Sequence, residues 1–212
     1  IEVSVRTQWA HQLGMRHGPH AHLRPDLFAD PEKHRKCLDL LRDEILRSHE
    51  TFIKHYLGKY TDPPLPPVWA SCEVMSLGLL SKWTKSLNAR ADRQAISGIY
   101  GIDETILCSF LHHLSSVRNI CAHHGRLWNR RFTFTMKIPR SPADLHALFN
   151  LAAERQLFNT LTLLGHMLSV ISPGSTWRQQ LRQLLLEHPR ADPLSMGFPV
   201  GWDQRAEWAL PK

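Results

Sequence analysis

The chain has 212 residues, 42% of them hydrophobic, and 26 Lys+Arg against 19 Asp+Glu give a formal net charge of +7. That length can bury a substantial core in one domain with or without an appendage, and no apolar run approaches the roughly 18 residues that span a bilayer. Cys37, Cys72, Cys108 and Cys121 stand far apart with no C-x-x-C pair, which excludes a zinc ribbon or a disulfide framework and leads to the expectation of a soluble, cytoplasmic protein.

Ile1, Val5, Trp9 and Leu13 recur at four-residue steps, with Glu2 and Arg6 paired on another face, the pattern of an amphipathic helix that Gly14 should end. The pattern is already running at Ile1, so a native N-terminal part is expected to precede it. Arg16 to Pro25 is rich in His, Gly and Pro and reads as an irregular loop. Its imidazoles, His17, His20 and His22, have no cysteine or carboxylate in the same loop to complete a tetrahedral set, so a polar surface loop is favoured and no metal or other cofactor is expected.

Asp30 followed by Pro31 is a helix start, and Leu38, Leu41, Ile45, Phe52 and Tyr56 extend one long helix towards Gly58. The prolines from Pro63 to Pro67 form a stiff connector. Trp69 to Leu87 is apolar on more than one side, as in a helix inside a bundle, with Glu73 as a solvent-facing first-turn acid. A short helix over Asp92 to Tyr100 is broken by Gly98 and Gly101. Asp103 then caps a helix with the stripe Leu107, Phe110, Leu111, Leu114, Val117 and Cys121, which should stop near Gly125. Phe132 to Met136 alternates like a strand but, without a partner, reads as an extended surface segment. Ser141-Pro142-Ala143-Asp144 matches a capping box and opens a helix carrying Leu148 to Ile171; another runs from Ser175 to Pro189, before a tail with Trp202 and Trp208. Five substantial helices and no credible sheet predict an all-α bundle over residues 1–190, with residues 191–212 as a tail packed on it.

The positive charge is concentrated. From Thr105 to Ala143 there is no Asp or Glu, while Arg118, Arg126, Arg130, Arg131, Lys137 and Arg140 supply six of the seven net charges, joined by four histidines. Such a segment attracts polyanions, nucleic acid above all, although a solvated basic face is an equal reading of the composition. Its centre is Arg118-Asn119-Ile120-Cys121-Ala122-His123-His124-Gly125-Arg126-Leu127-Trp128-Asn129-Arg130-Arg131. Asn119 and His123 share a helix face, whereas Arg118 and His123, five apart, diverge by roughly 140°, so two helix ends packed about a two-fold axis would unite Arg and His more easily than one. RNA carries its own nucleophile, the 2′-OH. Cleavage needs one group to accept that proton and another to protonate the leaving 5′ oxygen, and histidine can do both. An Arg on the phosphate stabilises the transition-state charge, and Trp128 beside Arg126, Arg130 and Arg131 can stack an unpaired base. The bland alternatives are that His123 and His124 cap carbonyls of the helix end and that Trp128 belongs to the core.

The string RNICAHHGRLWNR resembles the signature of the Abi-like family, the AbiD/AbiF-type abortive-infection proteins of bacterial phage defence, and Arg118-Asn119-x-x-x-His123 matches the R-N-x-x-x-H form of the HEPN ribonuclease motif. Ile1-Glu2-Val3 with Arg6-Thr7, the segment from Trp69 to Leu80, and Met196-Gly197-Phe198-Pro199 with Trp202 resemble the same family. The resemblance implies a HEPN-like helical bundle, commonly a homodimer, that cleaves RNA without metal. It assigns Arg118, Asn119 and His123 to catalysis, and His124 and Arg126 to the Abi-like extension; with Trp128, Arg130 and Arg131 these are the RNA-binding candidates. The alternative is a non-cleaving RNA-binding defence component, and some Abi-like proteins pair with a small noncoding RNA, so RNA is the expected partner in either case.

Overall fold

A computed structural model of the chain describes residues 1–208. Among them lie ten α-helices, joined by loops and short 3-10 turns, and no sheet; an isolated antiparallel bridge links Phe28 to Leu87. The all-α expectation holds, but three of the expected long helices are each broken in two. None of the helices is long and apolar enough to cross a membrane. The chain forms two compact units, one over Ile1–His112 and one from His113 onward.

The first unit contains α1 (Glu2–His17), α2 (Pro31–Arg47), α3 (Thr51–Lys59), α4 (Val68–Val74), α5 (Leu77–Ser86), α6 (Arg90–Gly98) and the beginning of α7 (Glu104–Ala122). α1 buries Val5, Trp9 and Leu13 and packs on α4 and α6. It does not stop at Gly14. The helix runs on to His17 and ends at Gly18, whose φ of 90° suits glycine. Its last turn is held by Asp92 of α6, a buried carboxylate that takes Arg16 Nε at 2.7 Å and His17 Nε2 at 2.8 Å. Gly14 lies within α1 facing α4, where an added Cβ would make only ordinary contacts, 3.5 Å from Val68 and 3.7 Å from Trp69.

Asp30 starts α2 as expected, accepting from the amides of Glu32 and Lys33, with Pro31 in the first turn. The single helix expected as far as Gly58 breaks at Ser48, which is extended and whose hydroxyl accepts from the Glu50 amide at 3.2 Å. The break shifts the helical phase, so α3 buries Ile53 and leaves Phe52 43% exposed. The apolar helix expected from Trp69 to Leu87 breaks at Met75. Ser76 caps α5 by accepting from the Leu79 amide, while its own amide donates to Glu44 of α2 at 2.9 Å. Glu73 is exposed, but in the last turn of α4, where the helix dipole does not favour it.

The three loop histidines part company. His17 joins Asp92, His20 faces the Tyr56 hydroxyl at 3.4 Å, and His22 is fully buried with Nε2 3.4 Å from Ser71 Oγ. Burial, then the neighbouring His20 and His34, push the His22 pKa down to about 3. In the unfolded chain an imidazole binds its proton near pH 6.5, so acidification below that value favours unfolding, increasingly down to about pH 3, by up to about 1.4 kcal/mol per pH unit. Replacing His22 with Leu is expected to flatten this loss between pH 7 and pH 5. Denaturant titrations at the two pH values check it, and identical slopes in both proteins would contradict it.

The second unit contains the end of α7, then α8 (Ala143–Ala147), α9 (Leu157–Ile171) and α10 (Trp177–Glu187). The capping box does not form: α8 has Pro142 at its N-cap, no side-chain cap, and only five residues. The chain is turned out of the expected long helix by a buried asparagine. Asn159 Oδ1 accepts from the Asn150 amide at 2.9 Å and its Nδ2 donates to the Asn150 carbonyl at 2.9 Å, fixing the turn ahead of α9. The core joins Val117 of α7 to Phe132, Leu157, Phe158 and Leu185, with Met196, Phe198, Trp202 and Trp208 from the C-terminal segment. Those aromatics interlock, with Phe158 4.9 Å from Phe198 and Trp202 5.5 Å from Trp208 between ring centroids.

Candidate functional site

α7 starts at Asp103, whose carboxylate accepts from the Thr105 amide, and carries Leu107, Phe110, Leu111, Leu114 and Val117 as its buried stripe. Cys121, expected on that stripe, is exposed, because Ile120 is the last side chain of the helix to pack on the core. The end is closed by backbone. The His124 amide donates to the Cys121 carbonyl at 3.0 Å and the Gly125 amide to the Ile120 carbonyl at 2.7 Å, the double bond of a Schellman motif. His124, at φ 54°, takes the left-handed position that glycine usually fills. Gly125 is required for a different reason: an added Cβ would lie 2.8 Å from Ile120 Cγ2 and 3.0 Å from its carbonyl oxygen. Gly125→Ala is expected to cost about 1–3 kcal/mol through overpacking, read as a lowered denaturation midpoint with an unchanged slope.

This end is anchored on one side and open on the other. Ile120, Leu127 and Trp128 pack against the core of the second unit. Arg118, Asn119, His123, His124 and Arg126 are exposed, as are Arg130 and Arg131. Because amides close the helix, the imidazoles of His123 and His124 are not spent on capping, and among the described residues neither makes a hydrogen bond. Among the described residues Arg118 and His123 make no hydrogen bond with each other, and a five-residue helical spacing corresponds to roughly 140° around the axis.

Past the helix, Asn129 at φ 51° turns the chain, and the Arg130 guanidinium reaches back to the Arg126 carbonyl at 3.4 Å. Arg126 lies over the Trp128 ring, 5.6 Å from its centroid, a cation–π arrangement. The indole is half-buried and its Nε1 is sealed without a hydrogen-bond partner, so Trp128 belongs partly to the core and partly to the basic surface. No carboxylate among the described residues pairs with Arg118, Arg126, Arg130 or Arg131.

His113, which no motif singles out, supports this region. It is buried, its Nδ1 donates to the Phe134 carbonyl at 2.7 Å and its Nε2 pairs with Thr160 Oγ1 at 2.7 Å, tying the extended segment after the site to α7 and α9. Within that segment Phe132 and Met136 are buried and Phe134 is 53% exposed. Among the described residues no group of three or more His, Cys, Asp or Glu is placed to hold a metal ion.

A model of the Abi-like protein family matches residues 1–129, from the start of α1 through the turn after α7. The chain belongs to the Abi-like protein family. That membership supports a role in abortive infection, the defence of a bacterial population against phage. No curated protein and no solved structure matches the chain. The match to this Abi-like chain takes in Arg118, Asn119, His123, His124, Arg126 and Trp128, and ends before Arg130 and Arg131.

Proposed function

We propose that this Abi-like protein is a HEPN-type endoribonuclease that cleaves RNA without a metal, using His123 as general acid or base, Arg118 to stabilise phosphate charge, and Asn119 to orient either group. The observation that carries the reading is the exposed, carboxylate-free end of α7, where two histidines and Arg118 are committed to no structural task. With no Asp or Glu between residues 105 and 143, the segment lacks the hard oxygen ligands that Mg²⁺ prefers, and the chemistry falls to imidazole and guanidinium. One imidazole takes the 2′-OH proton as the 2′ oxygen bonds to phosphorus. The imidazolium so formed gives a proton to the 5′ oxygen as its bond to phosphorus breaks, leaving a 2′,3′-cyclic phosphate and a free 5′-OH.

Two copies of the helix end supply the pair. Arg118 from one chain faces His123 from the other, and the small exposed residues Cys121, Ala122 and Gly125 allow close approach. The test is cleavage of RNA with EDTA present, followed by mixing Arg118→Ala with His123→Ala protein. Each mixed dimer would hold one intact site, so about a quarter of wild-type activity should return at equal mixing. No return would mean that each site draws both residues from one chain.

A second reading, an RNA-binding defence component that does not cut, is favoured by the Arg126–Trp128 contact, a platform on which an unpaired base can stack. It predicts RNA binding, unaffected by His123→Ala, without cleavage products.

A further inference from the structure

The first unit contains a cavity that RNA cleavage leaves unused. It lies between α2 and α5, encloses about 440 Å³, and is lined by Lys33, Lys36, Lys82 and Lys85 around Ala29, Cys37 and Leu40. Helical spacing puts them there: Lys33, Cys37 and Leu40 fall on one face of α2, and Lys82, Lys85 and Ser86 on one face of α5. The start of α2 is tied to the end of α5 by two backbone bonds, Ala29 N–H to the Ser86 carbonyl at 2.9 Å and Asn88 N–H to the Leu27 carbonyl at 2.8 Å.

Half of the chain's eight lysines line this one cavity. Residues 1–112 carry 14 Lys+Arg and 13 Asp+Glu, so the unit has a net charge of only +1 and the concentration is local. Asp30 is the one acid on the wall, and it is engaged by Lys33 at 2.9 Å and by its capping bonds. Lys36 reaches Glu32 at 3.4 Å. Lys82 and Lys85 are exposed and have no ion pair or hydrogen bond among the described residues. The cavity therefore offers a cationic rim with unspent charge beside an apolar surface made by buried Cys37 and exposed Leu40. A single carboxylate would match only one of those two lysine charges, whereas a phosphate chain carries enough charge for both, and compact ammonium groups bind phosphate without demanding a bidentate geometry. The volume falls near the lower end of the roughly 300–1,000 Å³ range of small-molecule sites, a size for one mononucleotide and not for a strand.

We propose that this cavity binds a nucleoside polyphosphate, its phosphates on Lys82 and Lys85 and its nucleoside over Cys37 and Leu40. The proposal does not depend on the RNA-cleaving reading. Calorimetric titration of the intact chain with ATP, GTP, CTP and UTP tests it, alongside inorganic triphosphate and a short oligoribonucleotide. The expected result is saturable binding of at least one nucleotide, weakened about tenfold or more in Lys82→Ala/Lys85→Ala, which removes two charge-assisted contacts. The control Lys54→Ala/Lys59→Ala, which changes exposed lysines outside the cavity, should alter affinity by less than about twofold once salt screens distant charges. The proposal is overturned if none of the four nucleotides binds, if the double variant binds them as wild type does, or if inorganic triphosphate binds as tightly as the nucleotides. It also fails if the oligoribonucleotide alone binds and loses affinity in the double variant, which would make the lysines part of an RNA track.

Discussion

Replacing His123 with alanine is expected to lower RNA cleavage by about 10²–10⁴-fold, the span ordinarily contributed by one general acid or base, while leaving the unfolding temperature unchanged. The two halves of that result have separate causes. His123 is exposed, makes no side-chain hydrogen bond among the described residues, and caps nothing, because the amides of His124 and Gly125 close the helix. Its removal should therefore cost little folding energy, as surface substitutions generally do. The rate loss corresponds to about 2.7–5.5 kcal/mol of transition-state stabilisation. Arg118→Ala should approach the same loss, and Arg118→Lys should restore little of it, since an ammonium cannot hold two phosphate oxygens in a planar fork. Cleavage assays with EDTA, paired with thermal unfolding of each variant, provide the measurement. Unimpaired cleavage by the His123→Ala protein would remove His123 from the mechanism, and a loss on His124→Ala instead would move the proton transfer to the left-handed residue.

The sequence marks this candidate site in one short string, whereas much of the fold around it leaves no such mark, and the reason is locality. Arg118, Asn119 and His123 lie within six consecutive residues, and the caps at Asp30 and Asp103 act on amides two or three positions away, so each leaves its mark in a short string. The helix breaks do not. Ser76 terminates a run that is apolar throughout, and its amide is held by Glu44, 32 residues earlier. Asn150 leaves a helix-like pattern because Asn159 binds both its amide and its carbonyl from the next helix. Gly14 looks like a stop until Asp92 is found holding the turn beyond it. The lysine cavity follows the same logic: Lys33 with Lys36, and Lys82 with Lys85, are ordinary pairs on separate helices that converge only when α2 packs on α5. Side chains whose partner is distant in sequence carry no signature that periodicity can detect.

Phe158→Ala is expected to destabilise the second unit by about 3–5 kcal/mol, the cost of deleting a buried phenyl ring and leaving a cavity. Phe158 is fully buried, with Phe198 at 4.9 Å and Trp208 at 6.4 Å between ring centroids, and it shares its cluster with Val117 of α7. The vacated volume cannot be refilled cheaply where three large rings already constrain one another. For a unit of roughly 100 residues, such a loss lowers the melting temperature by more than about 10 °C. The consequence for activity differs in kind from that of His123→Ala. Ile120, Leu127 and Trp128 are held on this cluster, so the exposed end of α7 keeps its geometry only while the cluster stays folded. Cleavage by the Phe158→Ala protein should therefore be near normal in the cold and disappear on warming along its own unfolding curve, whereas the His123→Ala protein should be inactive at every temperature. Phe158→Leu, which keeps most of the buried volume, should lie between Phe158→Ala and wild type. Parallel melting and cleavage curves for the three proteins decide the matter: if Phe158→Ala melts within a degree or two of wild type, this cluster does not set the stability of the unit that holds the site.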